Sequence, residues 1–460
     1  MSHDPEAPAP GRLTFTLLAS TLIAALGGFL FGFDTAVISG TTEALRSVYG
    51  LSGFGLGFTV ASALIGTVLG SLVAGRPADV FGRRAFLLAI AVLYFVSAVG
   101  CAVAWDWASL LFFRFVGGIG IGGASVVSPM YIAEISPARL RGRLVAVTQL
   151  NIVLGILAAF FSNYWLAGLG LGAAEWRWMF GVEAFPAAAF FLLLFLTPQS
   201  PRWLVARGRT DEARAVLTRM GSDAAAVEAE LGEIRSSLDL EHHSLAEPLF
   251  QRAYRRPVLL VIAIAAFNQL SGINAVLYYA PAVFRMAGSG QDSALLQSVL
   301  VGGSNLVFTL LAMALIDRFG RRRLMLAGSI GYVVSLTVTA WAFYRYGTDF
   351  DELGGRLVLV SILAFIGAHA FGQGAVIWVF ISEIFPNRVR ARGQALGSFT
   401  HWVMAAAISW TFPMIAEASG GHAFAFYAVM MVLQLLWVLK VMPETKGVPL
   451  EEIQKRLGIA

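Results

Sequence analysis

The sequence predicts an all-α membrane protein: twelve transmembrane helices in two six-helix halves, with short helices on the cytoplasmic side. Three observations predict it. The 460 residues are 57% hydrophobic and only 13% charged, with a mean hydropathy of +0.72, whereas an ordinary soluble domain carries about 25% charged residues. Apolar runs recur along the whole length, each of the roughly 20 residues needed to cross a hydrocarbon core of about 30 Å. Sequence motifs of the first half then return, in order, in the second.

The expected spans are 13–38, 54–74, 86–104, 108–130, 145–168, 178–197, 257–287, 294–316, 323–345, 356–382, 394–416 and 422–442. The opening "MSHDPEAPAPGR" is polar and Pro-rich without a basic segment, so the first apolar run reads as a retained span rather than a cleaved signal peptide. The single Cys101 excludes an internal disulfide framework, and nothing has the spacing of a zinc or haem site, so no cofactor is expected.

An even number of spans puts both termini on one side. With that side cytoplasmic, only Arg46, Arg177, Arg285, Arg345 and Arg356 fall outside and only Arg114 lies within a span, which leaves 27 of the 33 Lys and Arg residues inside. That is the positive-inside asymmetry. The basic pI therefore reports topology, and a nucleic-acid partner is not expected. The connection 198–256 holds 9 of the 28 acids. In it, "TDEARAVLTRM" and "AAAVEAELGEIRSSL" have helical apolar spacing, with Thr210–Asp211 as a helix start.

The internal repeat divides the chain. "DVFGRR" (79–84) returns as "DRFGRR" (317–322), "EISPARLRGR" (134–143) as "EIFPNRVRARG" (383–393), and "PQSPRWL" as "PETKG" (443–447). The expected units are residues 1–197, a linker 198–256, residues 257–442 and a tail 443–460. Two related halves suit rocking about a central site. Acids beside Arg clusters at the cytoplasmic helix ends suit ion pairs that lock the halves while the inside is shut. These residues are Asp79, Arg83, Arg84, Glu134 and Arg141 in the first half, and Asp317, Arg321, Arg322, Glu383 and Arg390 in the second.

An ionisable residue inside a span costs about 2.5–3.5 kcal/mol on insertion scales and marks a functional site by default. Asp34, Arg114 and Glu183 are such residues, and the topology brings them to a similar depth. Asp34 paired with Arg114 stays charged more cheaply than either alone, and protonating Asp34 frees Arg114 for another partner, Glu183. A static ion pair is the alternative. The second half offers neutral groups instead: Asn268, Gln269, Asn274, Asn305, Gln373, Trp378, His401 and Trp402. In "AFNQLSGINAVLYYAP", Ser271–Gly272 and Pro281 let the helix unwind and turn amides toward a cavity. Amides both donate and accept, and aromatic faces pack on the C–H side of a sugar ring. Such a set suits a neutral polyhydroxylated ligand; helix–helix hydrogen bonding is the alternative for any one amide. "GGIGIGGAS" (117–125) lies in an apolar span and reads as close helix packing rather than a dinucleotide loop. His242–His243 lack ligand partners at metal-binding spacing.

These motifs, together with "RFVGGIGIGGASVVSPMYIAEISPARLRGR" and "SEIFPNRVRARG", resemble the sugar porter branch of the major facilitator superfamily over nearly the full length. The resemblance implies the major facilitator fold and alternating access for a monosaccharide. It also implies that Asp34 and Arg114 are the proton-coupling pair of the bacterial sugar–proton symporters, with Glu183 a linked acid; animal glucose facilitators usually carry Asn at the Asp34 position. Gln149, Gln269, Asn274, Asn305 and Trp378 match sugar-contacting positions, and Phe31, Tyr278, Tyr279 and Trp402 match aromatics that line or gate the cavity. Four positions depart from the pattern. Asn268 stands for a second Gln, His401 for Asn or Gln, and Gln199 for the usual Glu. The Pro that commonly follows the glycine at 374 is missing, from which a straighter tenth span is expected.

The expected function is proton-coupled import of a hexose or pentose such as glucose or xylose by a monomer in a bacterial inner membrane. The chain is not expected to be an enzyme. A uniporter and a non-transporting sugar sensor are the alternatives.

Overall fold

The computed structural model describes residues 13–137, 139–244, 248–448, 450–457 and 459; the side chains of residues 239–244, 317, 387–388, 450–451, 454 and 456 are outside the description. Spans 1 to 6 are Phe15–Val37, Gly53–Val73, Arg83–Ala102, Trp107–Ile135, Arg141–Ala167, and the pair Glu175–Gly181 with Ala184–Leu194. Spans 7 to 12 are Arg255–Leu270 with Ile273–Met286, Gln291–Phe319, Arg321–Tyr346, Glu352–Glu383, Asn387–Ala418 and Gly420–Lys440. Eleven of the twelve are long and apolar enough to cross a membrane. Span 11 is the exception, because its first turns carry Arg390 and Arg392 and its middle carries His401, Trp402 and Trp410.

Within the first half, span 2 packs on span 4, span 1 on span 5 and span 3 on span 4; within the second, span 9 packs on spans 10 and 12. Glycine makes the tightest of these contacts. A Cβ on Gly118 or Gly122 of span 4 would collide with the carbonyl oxygens of Ala63 or Thr67 in span 2, and one on Gly66 or Gly70 with those of Phe115 or Ile119. The "GGIGIGGAS" run is therefore a backbone-to-backbone seam, as expected from small residues between membrane helices.

Three spans are broken, two of them for a local reason. In span 6, Pro186 has no N–H for the Val182 carbonyl, which accepts instead from Phe185 at 3.2 Å. Span 7 unwinds at Ser271–Gly272, as the sequence suggested: Gly272 lies at φ +82°, a left-handed conformation open to glycine, with the Tyr427 ring against it. Tyr279, two residues before Pro281, also leaves helical geometry at φ −125°, ψ 17°.

Span 10 corrects an expectation. It is interrupted by a π-helical turn at Ala370–Gly374 despite lacking the proline. Gly372 lies so close to Gly328 of span 9 that a Cβ on either would stand 2.8–2.9 Å from the other's Cα. The turn thus accompanies close backbone contact, a cause invisible in a proline count.

Between spans 6 and 7 lie helices Pro201–Ala206, Thr210–Arg219 and Ala224–Ser244, the second starting at the expected Thr210. Two helices were not expected: Thr42–Tyr49 between spans 1 and 2, and the tail helix Leu450–Leu457. The tail helix buries Ile453 and Leu457 against a core that includes Val258, Phe385 and Met442. The halves meet where span 2 packs on span 11 and span 5 on span 8.

Candidate functional site: a buried ion pair beside an aromatic and amide cluster

Asp34, late in span 1, and Arg114, early in span 4, are 3% and 1% exposed. Arg114 Nη1 donates to Asp34 Oδ1 at 2.6 Å, and the guanidinium stands 5.7 Å from the Phe180 ring centroid. Glu183 sits at the break in span 6 and is 2% exposed. Arg114 Nε and Nη2 and Glu183 Oε1 are all buried without a hydrogen-bond partner. An unmet buried charge group costs more than a neutral one, so this triad carries its polarity at a cost in stability. The geometry contains one formed pair and one acid held nearby, as the sequence reading arranged them.

The second half reaches this triad through span 7, whose segment Ile273–Met286 packs on span 1 and carries the buried Tyr278. Phe31 of span 1 meets Trp402 of span 11 edge-on, with ring centroids 5.4 Å apart. Trp402 stands 4.9 Å from His401, and His401 stands 5.2 Å from Trp378 of span 10. This aromatic run crosses from one half to the other. Beside it, Gln269 Nε2 donates to Asn268 Oδ1 at 2.9 Å and lies 3.2–3.3 Å from both ring nitrogens of His401. Gln149 and Asn274 are half-buried on spans 5 and 7. Asn305 of span 8 accepts from Thr309 at 3.5 Å.

Two expected ligand residues have hydrogen bonds within the second half. Gln373 is fully buried and donates to Gln434 of span 12, which donates to Ser329 of span 9 at 2.8 Å. It ties three helices of one half together, because the π turn sets its side chain toward the bundle. Tyr279 donates to the Ser409 carbonyl at 2.9 Å and packs on Phe412, which makes it a brace between spans 7 and 11.

The motif charges form two matching sets. Arg83 binds Asp79 at 2.9 Å and Glu134 at 2.9 Å, and Glu134 also accepts from Ser200. Arg84 donates to the Leu194 and Phe195 carbonyls at 3.0 and 2.9 Å. In the second half Arg321 binds Glu383 at 2.8 Å, Glu383 accepts from Thr445 at 2.5 Å, and Arg322 donates to the Val438 and Leu439 carbonyls at 3.2 and 2.7 Å. Arg141 donates to the Ala133 carbonyl at 3.1 Å and lies 3.8 Å from Glu230, and Arg390 donates to the Phe385 carbonyl at 3.4 Å. The side chain of Asp317 lies outside the described residues. Arg83–Glu134 and Arg321–Glu383 each bind helices within one half, whereas the sequence reading had such charges lock the halves to each other.

Among the described residues, two ion pairs join the halves at the opposite end, and both were missed. Arg46 meets Glu417 at 2.5 Å, and Arg285 meets Glu43 at 2.8 Å. Their partners are hundreds of residues apart, so no local pattern marks them. Also missed was Glu444, whose carboxylate accepts from the amides of Arg321 and Arg322 at 3.0 and 3.1 Å. The motif alignment held a signal for it, since Gln199 at the matching position accepts from the Arg84 amide at 3.4 Å.

Two six-helix halves with a buried ionisable triad and a polar, aromatic cluster at their junction define a membrane transporter of the alternating-access kind. A family model described as "Sugar (and other) transporter" matches residues 20–457. The chain is 38% identical over 479 residues to the D-xylose-proton symporter of Escherichia coli K12, covering 95% of each. It is 39% identical over 448 residues to the arabinose-proton symporter of Bacillus subtilis, covering 96% of this chain and 95% of that one. It is also 35% identical to a glucose facilitated diffusion protein of Zymomonas mobilis, over 94% and 96% of the two chains. Its fold matches the inward open conformation of the xylose transporter from E. coli with a TM-score of 0.84 at 38% identity, over 96% of this chain and 99% of that one. The same transporter bound to 6-bromo-6-deoxy-D-glucose matches at 0.80 and 37% identity, over 97% and 100%. The chain belongs to the sugar transporter family.

Proposed function

We propose that the protein imports a monosaccharide, a pentose or hexose such as xylose or glucose, together with a proton by alternating access. The observation that carries this reading is the Asp34–Arg114 pair, sealed from water with Glu183 beside it. Protonating Asp34 removes the partner that holds Arg114 and leaves the guanidinium to Glu183, so proton occupancy and helix position change together. One charge crossing 100 mV is worth about 2.3 kcal/mol, on the order of fortyfold sugar accumulation.

In this reading the Arg-rich end faces the cytoplasm with both termini, and the protein works as a monomer in the cell's inner membrane. The halves are closed outside by Arg46–Glu417 and Glu43–Arg285 and apart inside, in keeping with the likeness to an inward open relative. Phe31, Gln149, Asn268, Gln269, Asn274 and Asn305 hold the sugar with Tyr278, Trp378, His401 and Trp402. Asp79, Arg83, Arg84, Glu134 and Arg141, with Asp317, Arg321, Arg322, Glu383 and Arg390, stiffen the inner helix ends on which the halves rock.

The test is uptake of labelled xylose and glucose into proteoliposomes with and without an inward proton gradient. Gradient-driven accumulation that Asp34→Asn abolishes, while counterflow survives, is the expected result. Equilibration without accumulation in the wild type would make the protein a facilitator and Asp34 a structural partner of Arg114.

A further inference from the structure

Two of the positions where the sequence leaves the family pattern, Asn268 and His401, meet on a single side chain. Gln269 is 1% exposed. One of its amide protons goes to Asn268 Oδ1 at 2.9 Å. The other faces His401, whose Nδ1 and Nε2 are 3.3 and 3.2 Å from the same amide nitrogen. The lone pair and N–H of an imidazole diverge in the ring plane, so an atom nearly equidistant from both nitrogens lies over the ring face, an N–H···π contact rather than a bond to either nitrogen. Both donors of Gln269 are thereby spent inside the protein. Its carbonyl oxygen is buried and has no partner.

A flipped amide would press that oxygen against the electron-rich face of His401, which an aromatic ring does not favour. An Asn or Gln at position 401 could meet either orientation, because an amide both donates and accepts. We infer that His401, with Asn268, holds Gln269 as a hydrogen-bond acceptor only, and that this polarity makes the site select sugars presenting a hydroxyl donor at that point. His401 is then a positioning residue for selectivity, acting through Gln269. The inference rests on the transport reading above. An unmet buried acceptor costs roughly 1–3 kcal/mol, and a hydroxyl that donates to it removes that cost.

The experiment is counterflow in proteoliposomes with monodeoxy and matching deoxyfluoro analogues of xylose and glucose at each ring position. Fluorine accepts weakly and cannot donate. In the wild type, one ring position should reject both analogues to a similar extent, at least tenfold against the parent sugar. In His401→Gln the fluoro analogue at that position should recover at least threefold over the deoxy analogue, since the Gln269 amide can now turn its N–H outward. His401→Phe, which keeps an aromatic face but no ring nitrogen, should retain the wild-type pattern. The inference is overturned if no position shows paired rejection, if the pattern is the same in His401→Gln, or if Phe and Gln behave alike. Wild type that exchanges neither parent sugar would instead overturn the transport reading itself.

Discussion

Reversing one charge of the ion pairs that join the halves should shift the protein toward its outward-facing form. Arg46 and Glu417 are 38% and 46% exposed in their side chains and stand 2.5 Å apart. Exposed pairs are worth about 0.2–1 kcal/mol. Glu417 gains further from its place against Gly53, the first residue of span 2, because a carboxylate at a helix N-terminus is stabilised by about 0.3–1 kcal/mol. Glu417→Arg replaces both attractions with repulsions, so the closed outer face should lose on the order of 1–3 kcal/mol, a population shift of roughly five- to more than a hundredfold. The assay is the labelling rate of a cysteine introduced at Gly302, a position packed against Leu157 and Phe160 between the halves, with Cys101 replaced by alanine. Labelling from outside should rise in Glu417→Arg and in Arg46→Glu, and return in the double exchange. High salt should raise it in the wild type, since the Debye length falls to about 3 Å at 1 M. Unchanged labelling in both single reversals, or no recovery in the double exchange, would refute the latch.

Three further outcomes follow from the packing. Gln373→Leu should leave sugar KM within about twofold of wild type and lower Tm in detergent, with a loss of about 1–3 kcal/mol from the stranded Gln434; a large KM change with unchanged Tm would return Gln373 to the ligand site. Gly118→Val should cost at least the 1–3 kcal/mol typical of overpacking, because its side chain meets the Ala63 backbone and not a movable group; normal yield and Tm would contradict the seam. The hydrogen bond from Arg214 holds the Glu228 carboxyl below its ordinary value near 4.5. This contact therefore contributes above that value and is lost as pH falls through the depressed one. Protection across 210–230, taken as the exchange rate relative to the intrinsic rate at the same pH, should be highest at pH 7 and fall as pH drops through that depressed value, and Glu228→Gln should weaken the dependence, the Arg209–Glu212 pair remaining.

How much of this was legible in the sequence depends on the range of the cause. Span lengths, the Arg-rich end and the duplicated motifs follow from solvent partition and from the chain's own repetition, and so read directly. The Asp34–Arg114 pair could be placed by depth alone, since a charge in oil seeks its opposite. The Gly272 break is local chemistry, a glycine free to take positive φ. The span 10 turn was not legible, because Gly372 owes its geometry to Gly328 on another helix. The Gln373 bond to Gln434 was not legible for the same reason: which side of a helix a residue faces depends on the winding before it. Arg46–Glu417 and Glu43–Arg285 depend on how the halves are tilted, which no window of sequence contains.

The winding of span 10 has a consequence for the length of this helix. Each residue of an α-helix turns the chain by about 100°, and a π turn carries one residue more than the helix needs. Everything after Gly374, Trp378 included, is therefore held out of phase with the first part of the span. Rewinding all five residues of 370–374 as regular α-helix would swing Trp378 roughly a quarter-turn from His401, whereas deleting one of them would restore an unbroken helix and leave Trp378 close to its present face. The surplus residue acts as a phase setting. A homologue of the same length that winds this stretch as regular α-helix keeps the same fold and the same membrane thickness while presenting a different wall to whatever it carries.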